Sequence, residues 1–100
     1  MHGRTTENAL IDAERAQKRC NAAGVRFVNL ALDTGLMFYR TASLSESEDD
    51  ARRSEAKAHS SYQIAVHHAT ALLFTAEERD AFNEKKERLR LLLVSFGFSC

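Results

Sequence analysis

The chain has 100 residues, room for one hydrophobic core and not for a second. With 44% of residues hydrophobic and 28% charged, its composition is that of a folded domain and not of a disordered tail. The 14 basic and 14 acidic residues cancel, so no net field draws the chain to nucleic acid, anionic lipid or an acidic substrate. Proline is absent and there are only 4 glycines, which removes most of the turn chemistry a β-sandwich or barrel needs.

Residues 1–20 carry Arg4, Glu7, Asp12, Glu14, Arg15, Lys18 and Arg19 and have no apolar run of signal-peptide length. The densest apolar stretch, Leu91 to Val94 with Phe96 and Phe98, falls far short of the ~20 residues that span a bilayer. Cys20 and Cys100 are too few for a disulfide framework. The expectation is a single cytoplasmic domain over residues 1–100, with no membrane or nucleic-acid partner and no cofactor.

The first predicted helix covers residues 6–42. Ala9, Ala13, Ala16, Cys20, Ala23, Phe27, Leu30, Thr34 and Met37 alternate at steps of four and three, the spacing of a helix seam that packs lengthwise on neighbours. The stripe Arg15, Arg19, Ala22, Arg26, Asn29, Asp33, Leu36 and Arg40 holds most of the polar residues and is expected to face solvent. Gly24 could end this helix, and Val25 to Leu32 has some strand character. A lone strand would have no partner elsewhere in the chain, so the segment is read as a continuous or kinked helix with kinking or close packing at Gly24 or Gly35.

The second helix is expected over 46–73. Ser45 and Glu48 form a Ser-x-x-Glu capping box ahead of it, and Ala51, Ala58, Tyr62, Ala65, Ala69 and Leu72 form its inner face. The third, over 76–96, opens on a second box, Thr75 with Glu78, and buries Phe82, Leu89 and Leu92. Gly97 suits a left-handed stop, with Phe98 folding back on Leu93. Short connections impose an all-α, antiparallel up-down-up three-helix bundle with a long first helix. At ~1.5 Å per residue, the second helix would reach back to about residue 15 of the first.

Candidate chemistry is sparse. Leu30-Ala31-Leu32-Asp33-Thr34-Gly35 resembles the hydrophobic-Asp-Thr-Gly signature of retroviral-type aspartic proteases, a likeness of a few residues. That family is nearly all β and carries a later hydrophobic-Gly motif that has no counterpart here. Asp33 is therefore read as a solvated helix residue. Of the histidines His2, His59, His67 and His68, the last three lie on the second helix with Glu55, but no specific ligand on another helix completes a metal site. No nucleophile elbow or phosphate-cradling glycine loop is present.

One segment is more apolar than a bundle helix requires. From Val25 to Tyr39 the polar line narrows to Arg26, Asn29 and Asp33, with Thr34 and Gly35 beside it. Either the C-terminal tail or a second molecule must cover the excess. The expectation is a non-enzymatic helical protein–protein interaction module that forms a homo-oligomer or takes a partner helix, with Val25, Leu32, Leu36 and Tyr39 on the interaction surface. The alternative is a bundle that binds a small ligand or metal through His59, His67 or His68.

Overall fold

A computed structural model describes the backbone of residues 2–100 and the side chains of residues 8–100, so the side chain of His2 lies outside the described residues. Three helices follow one another: α1 (His2–Leu44), α2 (Glu48–Ala69) and α3 (Ala76–Ser95). The three helices make up 85% of the chain, and among the described residues there are no strands. α1 passes through Gly24 without interruption.

Paired contacts set the directions. α2 runs back along α1, with Leu72 against Gly24 at one end and Lys57 over the Phe38 ring, 5.5 Å from its centroid, towards the other. α3 then runs the same way as α1, pairing Lys85 with Asp33 at 2.9 Å and Phe96 with Tyr39 at a ring separation of 5.1 Å. The result is the up-down-up bundle, in which α1 packs chiefly on α2.

Helix ends follow local chemistry. Thr75 Oγ1 accepts from the Glu78 amide at 3.1 Å while the Glu78 carboxylate accepts from the Thr75 amide at 2.9 Å, the reciprocal box expected there. Gly97 sits at φ +97° with its amide on Val94 O, and the Phe98 amide reaches Leu93 O at 3.1 Å, a complete Schellman stop. The box expected at Ser45 does not form. α1 runs on to Leu44, and the Ser45 amide closes it by donating to Ala42 O. Ser47 is the cap instead, accepting from the Asp50 amide at 3.4 Å. Glu48, Asp49 and Asp50 remain in the first turn, where the helix dipole favours negative charge.

α2 stops at Ala69, four residues earlier than expected. Thr70 turns its hydroxyl and its amide onto His67 O, and Leu73 leaves the helix to pair with α1. The Asn21 side chain accepts from the Leu73 amide at 2.8 Å and donates to the Leu73 carbonyl at 2.7 Å. Both backbone groups of Leu73 are thereby satisfied outside any helix, and the α2–α3 connection is tied to α1.

The core consists of Val28 and Leu32 from α1, Ala58 and Ala65 from α2, and Phe82, Leu89 and Leu93 from α3. The inner faces of α2 and α3 match the sequence reading, except that Leu93 takes the fully buried place given to Leu92. α1 turns a different face inward from the one expected. Its buried line is Val25, Val28, Leu32, Gly35 and Ala42, while Phe27, Leu30 and Met37 of the expected seam are exposed. Glycine is the physical reason. A Cβ on Gly35 would stand 2.6 Å from Leu89 Cδ2 and 3.4 Å from Ala58 O, and one on Gly24 would overlap Leu72. Those two positions bring the helix axes together, and the side chains flanking them are drawn inside.

The molecule is elongated, 69 × 23 × 19 Å, with a radius of gyration of 18.5 Å where a compact chain of this length has about 13 Å. The excess length is α1. Every residue from Asn8 to Cys20 is exposed, a longer overhang than expected because α2 ends early.

Candidate interaction surface

Two of the four residues expected on an interaction surface are buried within the monomer. Leu32 is fully buried at the centre of the core and Val25 is 7% exposed. Leu36 and Tyr39 are half-buried, Leu36 packed against the core and Tyr39 against Phe96. The apolar excess of the segment is thus met partly from within. Gly35 lets Leu89 of α3 settle onto α1, and the C-terminal tail supplies Phe96 to Tyr39, while Phe98 stacks on His59 of α2 at 4.3 Å.

The opposite side of α1 stays bare. Phe27 is 47% exposed, Leu30 64%, Met37 56% and Leu44 76%. Leu30, Met37 and Leu44 recur every seven residues, and Phe27 with Thr34 and Thr41 forms the companion row. The rows continue along the overhang as Ala9, Ala16 and Ala23 beside Ala13 and Cys20. They form one a/d seam over about 50 Å at ~1.5 Å per residue, interrupted by the polar Thr34 and Thr41, and apart from half-buried Thr34 it is exposed. Asp12, Arg19, Arg26, Asp33 and Arg40 line one flank, all exposed. The other flank abuts α2, where His68 packs edge-on to Phe27 at 5.3 Å and Ile64 is 44% exposed.

The motif residues are structural or solvated. Asp33 is a half-exposed carboxylate on a helix, bound to Lys85 and to no second aspartate. His59 is stacked on Phe98, while His67 and His68 contact each other edge-on at 5.7 Å and are exposed. Among the described residues no group of three or more His, Cys, Asp and Glu side chains is placed to hold a metal ion. Burial raises the Tyr62 pKa, with Cys100 and Glu87 adding to the effect and Arg90 opposing it. The Arg90 hydrogen bond lowers that of Glu87 on the surface. An open groove of about 630 Å³ lies where the overhang leaves the bundle, lined by Gln17, Asn21, Leu72 and Leu73 among others.

The outward seam was legible as a pattern, and only its side was misassigned. The Asn21–Leu73 tie had no signal in the sequence, since an asparagine mid-helix reads as solvated until the loop that meets it is placed. Among the described residues no helix is long and apolar enough to cross a membrane. No protein-family model matches the chain, and no curated protein or solved structure shows significant similarity to it.

Proposed function

We propose that this chain is a non-enzymatic protein–protein interaction module that self-associates through the outward seam of α1. The observation that carries this reading is the exposure of Leu30, Met37 and Leu44 at seven-residue spacing on a helix whose other face already packs a complete core. Scattered exposed leucines need no explanation, but a heptad row is the shape another helix fits. Covering Leu30 and Met37 is worth roughly 1.5–3 kcal/mol each, enough to drive association when several such residues act together.

Sedimentation velocity across concentration, on the intact chain and on Leu30→Glu, tests the proposal. The intact chain is expected to shift from monomer to dimer as concentration rises. Leu30→Glu is expected to remain a folded monomer, because Leu30 contributes little to the monomer core. An intact chain that stays monomeric at millimolar concentration overturns the reading.

A further inference from the structure

This step rests on the self-association proposed above and concerns its geometry. We infer that the occupant of the seam is α1 of a second copy running antiparallel, in a register that sets the partner's Ala13 against Met37, the partner's Cys20 against Leu30 and the partner's Ala23 against Phe27. Three features of α1 converge on that arrangement.

The first is side-chain size. The seam is divided into a small half, Ala9 to Ala23, and a large half that begins at Phe27. A parallel pair in register would set Phe27 against Phe27 and alanine against alanine, holding the helices apart at one end and leaving voids at the other. The antiparallel pair puts a small residue opposite a large one at each of those layers, which permits a constant interaxial distance.

Charge provides a second, separate argument. In the same register Asp12 meets the partner's Arg40 and Arg19 meets the partner's Asp33, with Arg26 beside its own symmetry mate as the single repulsion. All five residues are exposed, and the Asp33 carboxylate already has Lys85 on one oxygen. Sliding the pair by one heptad in one direction sets Asp12 against Asp33 and Arg19 against Arg26. Sliding it in the other sets Arg19 against Arg40, pairs Arg26 with Asp33 and leaves Asp12 opposite the uncharged Ser47, a weaker balance. In a parallel pair the same flank would face Gln17, Gly24, Ala31 and Phe38, which carry no charge to pair with. Side-chain size sets the antiparallel direction, and charge at a separate set of positions selects the register.

The third feature is the overhang. Residues 8–20 form more than three helical turns that the bundle does not cover, and a helix of that length is marginal in water without tertiary contacts. The register lays this stretch along the partner's residues 30–42. Leu10, 61% exposed in the single chain, comes beside the partner's Phe38.

Disulfide mapping distinguishes the arrangements. With Cys100→Ser removing the other thiol, the native Cys20 pair would lie about 15 Å apart along the antiparallel axis, too far to bridge. Adding Leu30→Cys places the introduced thiol opposite the partner's Cys20, so mild oxidation is expected to give a covalent dimer whose cross-linked peptides join those two positions. A Cys20-to-Cys20 dimer from Cys100→Ser alone would overturn the antiparallel geometry while leaving self-association standing. An intact chain without any dimer would instead remove the underlying proposal. Register is read by charge exchange: Arg40→Asp is expected to raise the dimer dissociation constant about tenfold, and Asp12→Arg in the same chain to restore it. Failure of the double variant to recover overturns the register.

Discussion

The two faces of α1 differ in their neighbours more than in their hydrophobicity. One face carries Gly24, Val25, Val28, Leu32 and Gly35, and the other Ala23, Phe27, Leu30 and Met37. Both repeat with helical period. The second has the larger side chains and the more regular heptad, yet the first is buried. What distinguishes them is that Gly24 and Gly35, three turns apart on one side, allow the Leu72 and Leu89 side chains to come against the α1 backbone. A helix buries the face that lets its neighbours approach most closely, and the face with the largest side chains is left for whatever comes next.

The sharpest test of that contrast uses two leucines two residues apart. Leu32→Ala is expected to destabilise the monomer by about 2–5 kcal/mol, since the site is fully buried, while Leu30→Ala changes it by less than about 0.5 kcal/mol. Urea denaturation at low micromolar concentration, below association, reads both. Equal losses would mean that the outer face is also core.

The Asn21 tie comes next. Asn21→Ala removes the side-chain donor and acceptor that pair with the Leu73 carbonyl and amide and is expected to cost about 1–2 kcal/mol in the same denaturation assay. Faster amide exchange at Leu73, while the α3 amides stay protected, would show that the loss is confined to the connection.

The glycines divide the inner face itself. Gly35→Ala gains ~1 kcal/mol of helix propensity but forces Leu89, a core residue with no room to move, and Ala58 O limits any backbone shift. Overpacking of that kind costs ~1–3 kcal/mol, so the net change in the denaturation midpoint is expected to be a loss of about 1 kcal/mol. At Gly24 the obstacle is the end of the half-buried Leu72 side chain, which can rotate away, so Gly24→Ala is expected to be neutral or slightly stabilising. Stabilisation at both positions would remove close approach as the reason this face is inside.

Capping gives an effect of similar or smaller size. Thr75→Ala is expected to cost ~1 kcal/mol, and Ser47→Ala less, because its cap hydrogen bond is long at 3.4 Å. Ser45→Ala is expected to leave the melting temperature unchanged.

The smallest expected effect is a pH dependence on the exposed side of α3. Arg90 lowers the folded-state pKa of Glu87, so the stabilisation from this pair is present above the ordinary carboxylate pKa and is lost as pH falls through the lower folded value. Melts of the native chain and Glu87→Gln are expected to differ at pH 6 and to converge in acid.

Much of the fold was legible because its signals are local. Thr75 with Glu78, and Gly97 with Phe98, act within one turn of the backbone, and both helix ends form as the residues indicate. Ala58, Ala65, Phe82 and Leu89 are buried where the period of their helices places them, whereas in the continuous run Leu91 to Val94 period does not choose Leu93 over Leu92. Ser45 and Ser47 compete for the same cap, and the outcome depended on where α1 ended, which is set by packing beyond the turn.

For α1, the sequence by itself determined that a long helix exists and that from Val25 to Tyr39 it is apolar on more faces than a bundle helix requires. It could not rank them, because a period of 3.6 counts side chains on each face and does not measure how near a neighbouring backbone can come. Only the tertiary structure decided that question, through Leu89 against Gly35, Leu72 against Gly24, and the Asn21 side chain holding a loop 52 residues away. These are contacts between distant segments, and their energy depends on interaxial distances that no single helix contains.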